Sequence, residues 1–237
     1  MEALLQLGNE HTGGKWRYRR RGRPDGKWLA AAIRTGSQVQ LWDAEERKLV
    51  HSFDAGEWVH GVSLSPDGKW LAAASWDESI KVWNIETREL IKELGGFGRV
   101  HRVQFSPDGR LLAGSATTSG RTQIYETKTW SLQSKFSNGY AVGVMSFSAD
   151  GSMLATGGHG NKNLSPETRR VRVWDTTSGE MLMEFKEMQN VVTAVALSPD
   201  GRYLIAVGGE QDETPKLAEP IRIWDLRTKR RVAEFDG

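Results

Sequence analysis

The stretch SLSPDGKWLAAASWDESIKVWN, residues 63–84, decides how the chain is read. It opens on a tight-turn tetrapeptide, Ser65-Pro66-Asp67-Gly68, passes through a short apolar run, and ends on the alternating segment Ile80-Lys81-Val82-Trp83. Proline presets φ at the second position of such a turn, aspartate bonds to nearby backbone, and glycine accepts the positive φ that ends it. Period-two alternation marks a half-buried strand. Working outward, the same two markers recur along the chain. The x-Asp-Gly tripeptide stands at Pro24-Asp25-Gly26, Pro66-Asp67-Gly68, Pro107-Asp108-Gly109, Ala149-Asp150-Gly151 and Pro199-Asp200-Gly201, the aspartates lying 42, 41, 42 and 50 residues apart. Each is followed by an aromatic pair: Trp42-Asp43, Trp83-Asn84, Tyr125-Glu126, Trp174-Asp175 and Trp224-Asp225. Two markers keeping one order five times establish an internal repeat, and a repeat of this period dictates the architecture.

The units share an internal grammar. Before the turn come apolar residues at matched offsets: Val59, Val62, Leu64; Val100, Val103, Phe105; Val142, Met145, Phe147; Val192, Val195, Leu197. After it comes a short apolar strand (Trp70–Ser75, Leu111–Ser115, Tyr203–Val207), then the alternating strand that ends at the aromatic pair. A polar turn leads to a last strand (Leu90–Leu94, Met181–Phe185, Arg231–Phe235). That is four strands per unit with no helical periodicity. These residues resemble the WD40 family, whose repeat forms one four-stranded propeller blade. The resemblance implies an all-β propeller in which strand one of each blade lines a central channel and strand four lies outermost. The expectation is a single domain over residues 1–237, five blades long and an incomplete portion of a ring of about seven. Leu4–Leu7, within residues 1–10, reads as the outer strand of a preceding blade. Arg231–Phe235 reads as a second such strand, where a ring closed by sharing one blade between its ends needs only one.

The pattern is broken in two places. The family commonly carries a Gly-His pair eleven residues before the turn proline, anchoring a His–Asp–Ser–Trp hydrogen-bond network. Those positions hold Ala55, Gly96, Asn138 and Met188, so the resemblance predicts no intact network and blades that rest mainly on apolar packing. The first inner strand offers Arg17, Arg20 and Gly22 where the others are apolar, within the basic run Lys15–Arg23. Burying unpaired guanidiniums is costly. Three readings stand open: a strand frayed at an open edge, a functional basic arm, or a locally disturbed sequence such as a shifted reading frame.

Composition narrows the chemistry. The chain has 237 residues, no cysteine, a net charge of +2 and ten tryptophans. Disulfides, thiolate zinc sites and cysteine nucleophiles are thereby excluded. The small net charge argues against a general nucleic-acid partner. No apolar stretch approaches the roughly 18 residues of a membrane helix, and the opening MEALLQLGNE lacks the basic head and apolar core of a secretory signal. A cytoplasmic location is expected. No G-x-S-x-G, H-E-x-x-H or phosphate-binding G-x-x-x-x-G-K motif is present. His51, His60 and His101 read as scattered packing or surface residues, and no cofactor or metal is expected.

The departures from the repeat point to partners. Trp58, Phe97 with Arg99, and Tyr140 lie in the connections into strand one, and Trp76 in a tight turn; exposed aromatics and arginines dominate interface hot spots, with packing between blades as the competing reading. Blades four and five carry longer connections between strands two and three, Gly157–Arg170 and Gly208–Pro220. The first is basic, with His159, Lys162 and Arg169, and the second is acid-rich, with Glu210 and Asp212. The family places such connections on its usual partner face; mutual pairing of the two loops is the plainer alternative. The expectation is a non-enzymatic scaffold that mediates protein–protein interaction as one part of a larger protein, with self-association possible through open propeller ends. The alternatives are a propeller enzyme of the lactonase or hydrolase type and weak nucleic-acid binding through residues 15–23.

Overall fold

A computed structural model of the chain describes residues 20–22, 27–33, 36–116, 119–158, 169–209 and 220–235. These form five four-stranded antiparallel sheets, each with its strands in chain order. Blade 1 holds β1 (Arg20–Gly22), β2 (Trp28–Ala32), β3 (Gln38–Asp43) and β4 (Lys48–Asp54), and blade 2 holds β5 (Val59–Leu64), β6 (Trp70–Ser75), β7 (Ile80–Asn84) and β8 (Leu90–Leu94). Blade 3 holds β9 (Val100–Phe105), β10 (Leu111–Ala116), β11 (Arg121–Glu126) and β12 (Leu132–Ser137). Blade 4 holds β13 (Val142–Phe147), β14 (Met153–Gly158), β15 (Val171–Asp175) and β16 (Met181–Phe185). Blade 5 holds β17 (Val192–Leu197), β18 (Tyr203–Gly208), β19 (Ile221–Asp225) and β20 (Arg230–Phe235). Inner strands β5, β9, β13 and β17 pack one against the next. Of the anomalous basic segment, Arg20–Gly22 pairs with β2 in the inner-strand register, Arg20 opposite Ala31. Residues 1–19, including the expected outer strand of a preceding blade, lie outside the described residues.

The turns show why the sequence markers recur. In the first turn of blade 2 the Ser65 hydroxyl donates to Asp67 Oδ1 at 2.6 Å and accepts the Trp70 N–H at 2.9 Å, while Gly68 closes the turn at φ +70°. The Ser–Asp bond recurs at Ser106–Asp108, Ser148–Asp150 and Ser198–Asp200. Serine is therefore the partner of the turn aspartate, and the turn survives where alanine replaces proline at position 149. The residue after the aromatic does a second job. Asp43, Asn84, Asp175 and Asp225 each accept two backbone N–H bonds through Oδ1, at 2.7–3.2 Å. Asn84 does this with an amide oxygen, so the turn needs an acceptor and not a charge.

The core lies between blades. Trp83, Tyr125, Trp174 and Trp224 are all buried on the side facing the preceding blade. Three of them meet a phenylalanine of that blade's outer strand: Phe53–Trp83 at 5.2 Å, Phe136–Trp174 at 4.1 Å and Phe185–Trp224 at 5.0 Å between ring centroids. Offset and tilted aromatic pairs of this kind add about 0.5–1.5 kcal/mol to the gain from burial.

Apolar packing is not the whole account of blade stability. Two residues before each buried aromatic stands a long donor, which reaches the position where the family's histidine is missing. Lys81 Nζ donates to the Ala55 carbonyl at 3.1 Å and Gln123 Nε2 to the Gly96 carbonyl at 3.0 Å. Arg172 donates to the Asn138 carbonyl, and Arg222 Nη1 reaches Met188 Sδ at 3.4 Å. Each bond pins the connection that enters a blade to that blade's third strand. In blade 4 part of a side-chain relay survives as well: Trp174 Nε1 donates to Thr156 Oγ1 at 2.9 Å, which donates to Asn138 Oδ1 at 2.8 Å. Polar tethers thus supplement the apolar packing expected of the blades, and the blade 4 relay is a partial one, with Asn138 at the position of the absent histidine.

Candidate protein-binding surface

The connections into strand one and those between strands two and three emerge at the same end of each blade. At that end of blade 2 the Trp76 N–H donates to the Trp58 carbonyl at 3.0 Å, which stitches the two connections together. Their rings lie 5.1 Å apart. His60 stacks on Trp76 at 4.6 Å and 9°, His101 sits 5.0 Å from His60, and the Arg99 guanidinium lies 5.0 Å over the Trp76 ring.

A backbone irregularity gathers these groups. In blade 2 the pairing of β5 with β6 skips from Val59↔Ser75 to Gly61↔Ala74, leaving His60 as the bulged residue. In blade 3 the skip falls at His101, in blade 4 at Gly143 and in blade 5 at Thr193. A bulge re-aims the side chain it carries, so His60 and His101 are the same position of adjacent blades brought side by side. Trp58 and Arg99 are likewise equivalent, two residues earlier. Blades 4 and 5 put Ala141 and Val191 there, so among the described residues the aromatic, imidazole and guanidinium groups gather on blades 2 and 3. Trp58 is 51% exposed and Arg99 is exposed, whereas the Trp76 indole nitrogen is buried and has no acceptor among the described residues.

The structure thus brings together three of the residues expected at a partner surface, Trp58, Trp76 and Arg99, and adds His60 and His101. The histidines were legible: each stands six residues before its turn proline, Pro66 and Pro107. Phe97 and Tyr140 do not belong to an exposed surface. Phe97 is 2% exposed and fills the space between blades 2 and 3, where a Cβ added at Gly114 would sit 3.0 Å from its ring. Tyr140 is 6% exposed, carries the Arg172 guanidinium 4.9 Å over its ring, and donates to the Arg170 carbonyl at 3.3 Å. Both obey the competing reading, packing between and within blades. Arg169 is half-buried beside that network. His159, Lys162, Glu210 and Asp212 lie outside the described residues.

The Tyr140 side of blade 4 is held by charge. Glu184 Oε1 accepts from Arg172 Nε at 2.9 Å and Arg170 Nη1 at 3.1 Å, and Oε2 meets Lys186 Nζ at 3.1 Å. Burial pushes the Glu184 carboxyl up, but the bonds from Arg172, Lys186 and Arg170 outweigh it and hold it at about 2. A carboxyl lowered on folding contributes stability that is present above its unfolded value near 4.5 and is lost as pH falls toward 2. Allowing for solvent screening, the network is expected to contribute about 1–2 kcal/mol at neutral pH. Glu184→Gln should flatten the fall in urea midpoint between pH 6 and pH 3 relative to the parent chain; an unchanged slope would remove Glu184 from the account.

At the other end of the blades, the turns of blades 3 and 4 border a cleft of about 530 Å³ lined by Asp108, Arg110, Glu126, Lys128, Asp150 and Thr176 among others. Arg110 spans it, donating to Asp108 Oδ2 at 2.6 Å and the Asp150 carbonyl at 2.9 Å. Those bonds are turn structure, and the cleft has no aromatic lining. Among the described residues no three His, Asp or Glu side chains gather where they could hold a metal ion, and no helix is long and apolar enough to cross a membrane.

Comparison with known proteins agrees with the repeat. The family model described as "WD domain, G-beta repeat" matches residues 47–84, 88–126 and 179–216. The chain is 29% identical over 111 residues to the periodic tryptophan protein 2 homolog of Dictyostelium discoideum, an alignment covering 46% of this chain and 11% of that protein. This chain therefore spans about a tenth of the length of that curated relative. Among solved structures, hydrazine synthase of Kuenenia stuttgartiensis superposes with a TM-score of 0.76 at 18% identity, over 96% of this chain and 68% of that one. At that identity the likeness concerns the fold. With five four-stranded sheets in chain order, the serine–aspartate turn in four of them and a buried aromatic closing the third strand of blades 2 to 5, the chain carries WD40 repeats, three of them matched by the family model, in an all-β array of propeller blades.

Proposed function

We propose that the chain is a non-enzymatic interaction module of the cytoplasm, and that it holds a protein partner at the end of blades 2 and 3 where Trp58, Trp76, His60, His101 and Arg99 meet. The observation that carries this reading is the exposure of Trp58 at 51% while its ring remains in contact with Trp76. A large aromatic on a rigid two-strand support, beside an exposed arginine, has the composition of an interface hot spot. It presents wide apolar area at a low cost in conformational entropy. The buried Trp76 indole N–H, lacking an acceptor among the described residues, adds an unmet polar group at the same place. The WD repeats support an interaction role in general. The solved structure named as a synthase supplies no second reading, because its likeness to this chain is one of fold.

Trp58→Ala and Arg99→Ala are each expected to leave melting within about 0.5 kcal/mol of the parent, as surface changes do. Each should reduce co-purification of a partner with the tagged chain at least tenfold. Lys128→Ala, at the opposite end, is the control and should leave capture unchanged. Equal capture by all three variants would refute the assignment of this end as the binding surface. So would a loss of several kcal/mol on Trp58→Ala, which would make that ring a packing residue.

A further inference from the structure

At the end of the blades opposite Trp58, each pair of neighbours meets over the same positions. The floor of the cleft between them is the first residue of the earlier blade's second strand: Trp28, Trp70, Leu111 and Met153 in chain order. The later blade brings the residue five places after its third-strand aromatic: Arg88, Trp130, Gly179 and Lys229, all with φ between 55° and 74°. Between blades 2 and 3 the molecule fills this cleft itself. Trp130 stands edge-on to Trp70, with ring centroids 5.8 Å apart at 86°, and both rings pack against the buried core between those blades.

Between blades 1 and 2 the floor is again an indole, but Arg88 stands in the place of Trp130. A cleft of about 440 Å³ is left there, lined by Trp28, Val50, Lys69, Ile85, Glu86 and Arg88 among others. Its frame matches the filled one. The Arg88 N–H donates to the Asn84 carbonyl at 2.9 Å, as the Trp130 N–H does to the Glu126 carbonyl at 2.8 Å. Val50 and Ile91 are the matching bulged residues of the two outer strands. The remaining clefts lack the indole floor. Leu111 lies beside the polar Gln133 between blades 3 and 4, and Met153 reaches blade 5, where a Cβ added at Gly201 would lie 3.0 Å from its methyl group. Cations outnumber carboxylates around Trp28. Lys27 Nζ lies 5.2 Å over its ring, and Lys69 and Arg88 line the cleft against Glu86, with Asp67 3.9 Å from Lys69.

We propose that the cleft between blades 1 and 2 is a second binding site, separate from the Trp58 surface, which takes a tryptophan side chain of a protein partner flanked by acidic residues. The molecule shows the fit once already: the incoming indole stands on Trp28 as Trp130 stands on Trp70, in the edge-to-face arrangement that aromatic pairs favour. Val50 and Ile85 receive its apolar edge, and the flanking carboxylates meet Lys69 and Arg88. The cavity has the size of a side-chain or small-ligand pocket, which runs from roughly 300 to 1,000 Å³.

The probe is a short peptide with one fluorotryptophan between aspartates, titrated with the whole chain and followed by fluorine NMR. Saturable binding is expected, with a dissociation constant of about 1 mM or tighter, the scale of a single side-chain pocket. Arg88→Trp is the decisive variant. The backbone at position 88 has φ 65°, close to the 56° at which Trp130 is held, so the new indole should close the cleft from within. Peptide binding should then fall by about tenfold or more, with melting unchanged or raised. Arg88→Ala leaves the cleft open and should cost about threefold or less, the share of one exposed charge. Trp58→Ala, at the other end, should leave the titration unchanged, which separates this site from the proposed partner surface. A parent chain that does not bind the peptide would overturn the proposal, whether residues 23–26, which lie outside the described residues, fill the cleft or the indole does not fit. Equal losses for the alanine and tryptophan variants would overturn it as well, and so would equal binding of a peptide with lysines in place of the aspartates.

Discussion

Trp174→Ala is expected to cost the fold about 3–5 kcal/mol, as large core truncations do. The indole is buried and stacked 4.1 Å from Phe136 at 12°, so truncation opens a cavity between blades 3 and 4 and strips Phe136 of its partner. It also removes the N–H that the Thr156 hydroxyl accepts, in a relay that ends on Asn138 at the entrance to the same blade. Trp174→Phe separates the two contributions. It keeps most of the stack and loses only the donor, for an expected cost of about 1–2 kcal/mol. Trp224 occupies the matching position in blade 5, is 0% exposed, and its indole nitrogen has no acceptor among the described residues. Trp224→Phe should therefore cost less than Trp174→Phe, since the small loss of ring volume is the same at both. Urea unfolding followed by circular dichroism gives all the comparisons. Equal costs for the two phenylalanine variants would show that the relay contributes nothing.

That contrast marks how far the sequence could be read. The turn tetrapeptides and aromatic pairs placed strands within a residue or so of where they lie: Trp70–Ser75, Leu90–Leu94 and Met181–Phe185 coincide with β6, β8 and β16. Local chemistry decides these boundaries, and local chemistry is visible in one repeat. The competition between packing and exposure was not visible. Trp58, Phe97 and Tyr140 all precede or open an inner strand, yet one is half exposed and two are buried. Phe97 faces the Gly114 gap of its own blade, and Tyr140 is held beneath Arg172, contacts that join residues 17 and 32 positions apart. The polar tethers are hidden in the sequence for a similar reason. The positions of the absent histidine, Ala55, Gly96, Asn138 and Met188, share no residue type. The substitutes Lys81, Gln123, Arg172 and Arg222 sit on a different strand and share length and donor capacity but not residue type. His60 and His101 show the opposite failure. Their equal offset was on the page, and only the bulge that carries them explains why two equivalent side chains meet.

The backbone itself supplies the second large effect, at Gly120. This residue has φ +60°, and a Cβ placed on it would lie 2.0 Å from the Tyr140 carbonyl oxygen and 2.8 Å from that residue's carbonyl carbon and nitrogen. These are main-chain atoms, so no rotamer change relieves the clash. The left-handed conformation alone costs a residue with a side chain about 1–2 kcal/mol. The rest comes from displacing the connection into blade 4, whose Asn138 donates to the Gly120 carbonyl through its backbone N–H at 3.0 Å and through Nδ2 at 3.2 Å. Moving Asn138 also disturbs the Thr156 and Trp174 bonds that follow from it. Gly120→Ala is expected to lower stability by roughly 3–4 kcal/mol, strain and lost hydrogen bonds together. Gly139 is the matched control. It lies in the connection into blade 4 with φ +73°, and a Cβ there meets nothing within 4 Å. Gly139→Ala should cost only the conformational share, about 1 kcal/mol. The difference between the two alanine variants, read from urea midpoints under one condition, isolates the close approach of Gly120 to Tyr140. If the two midpoints coincide, that approach relaxes without cost and the connection into blade 4 is not fixed by it.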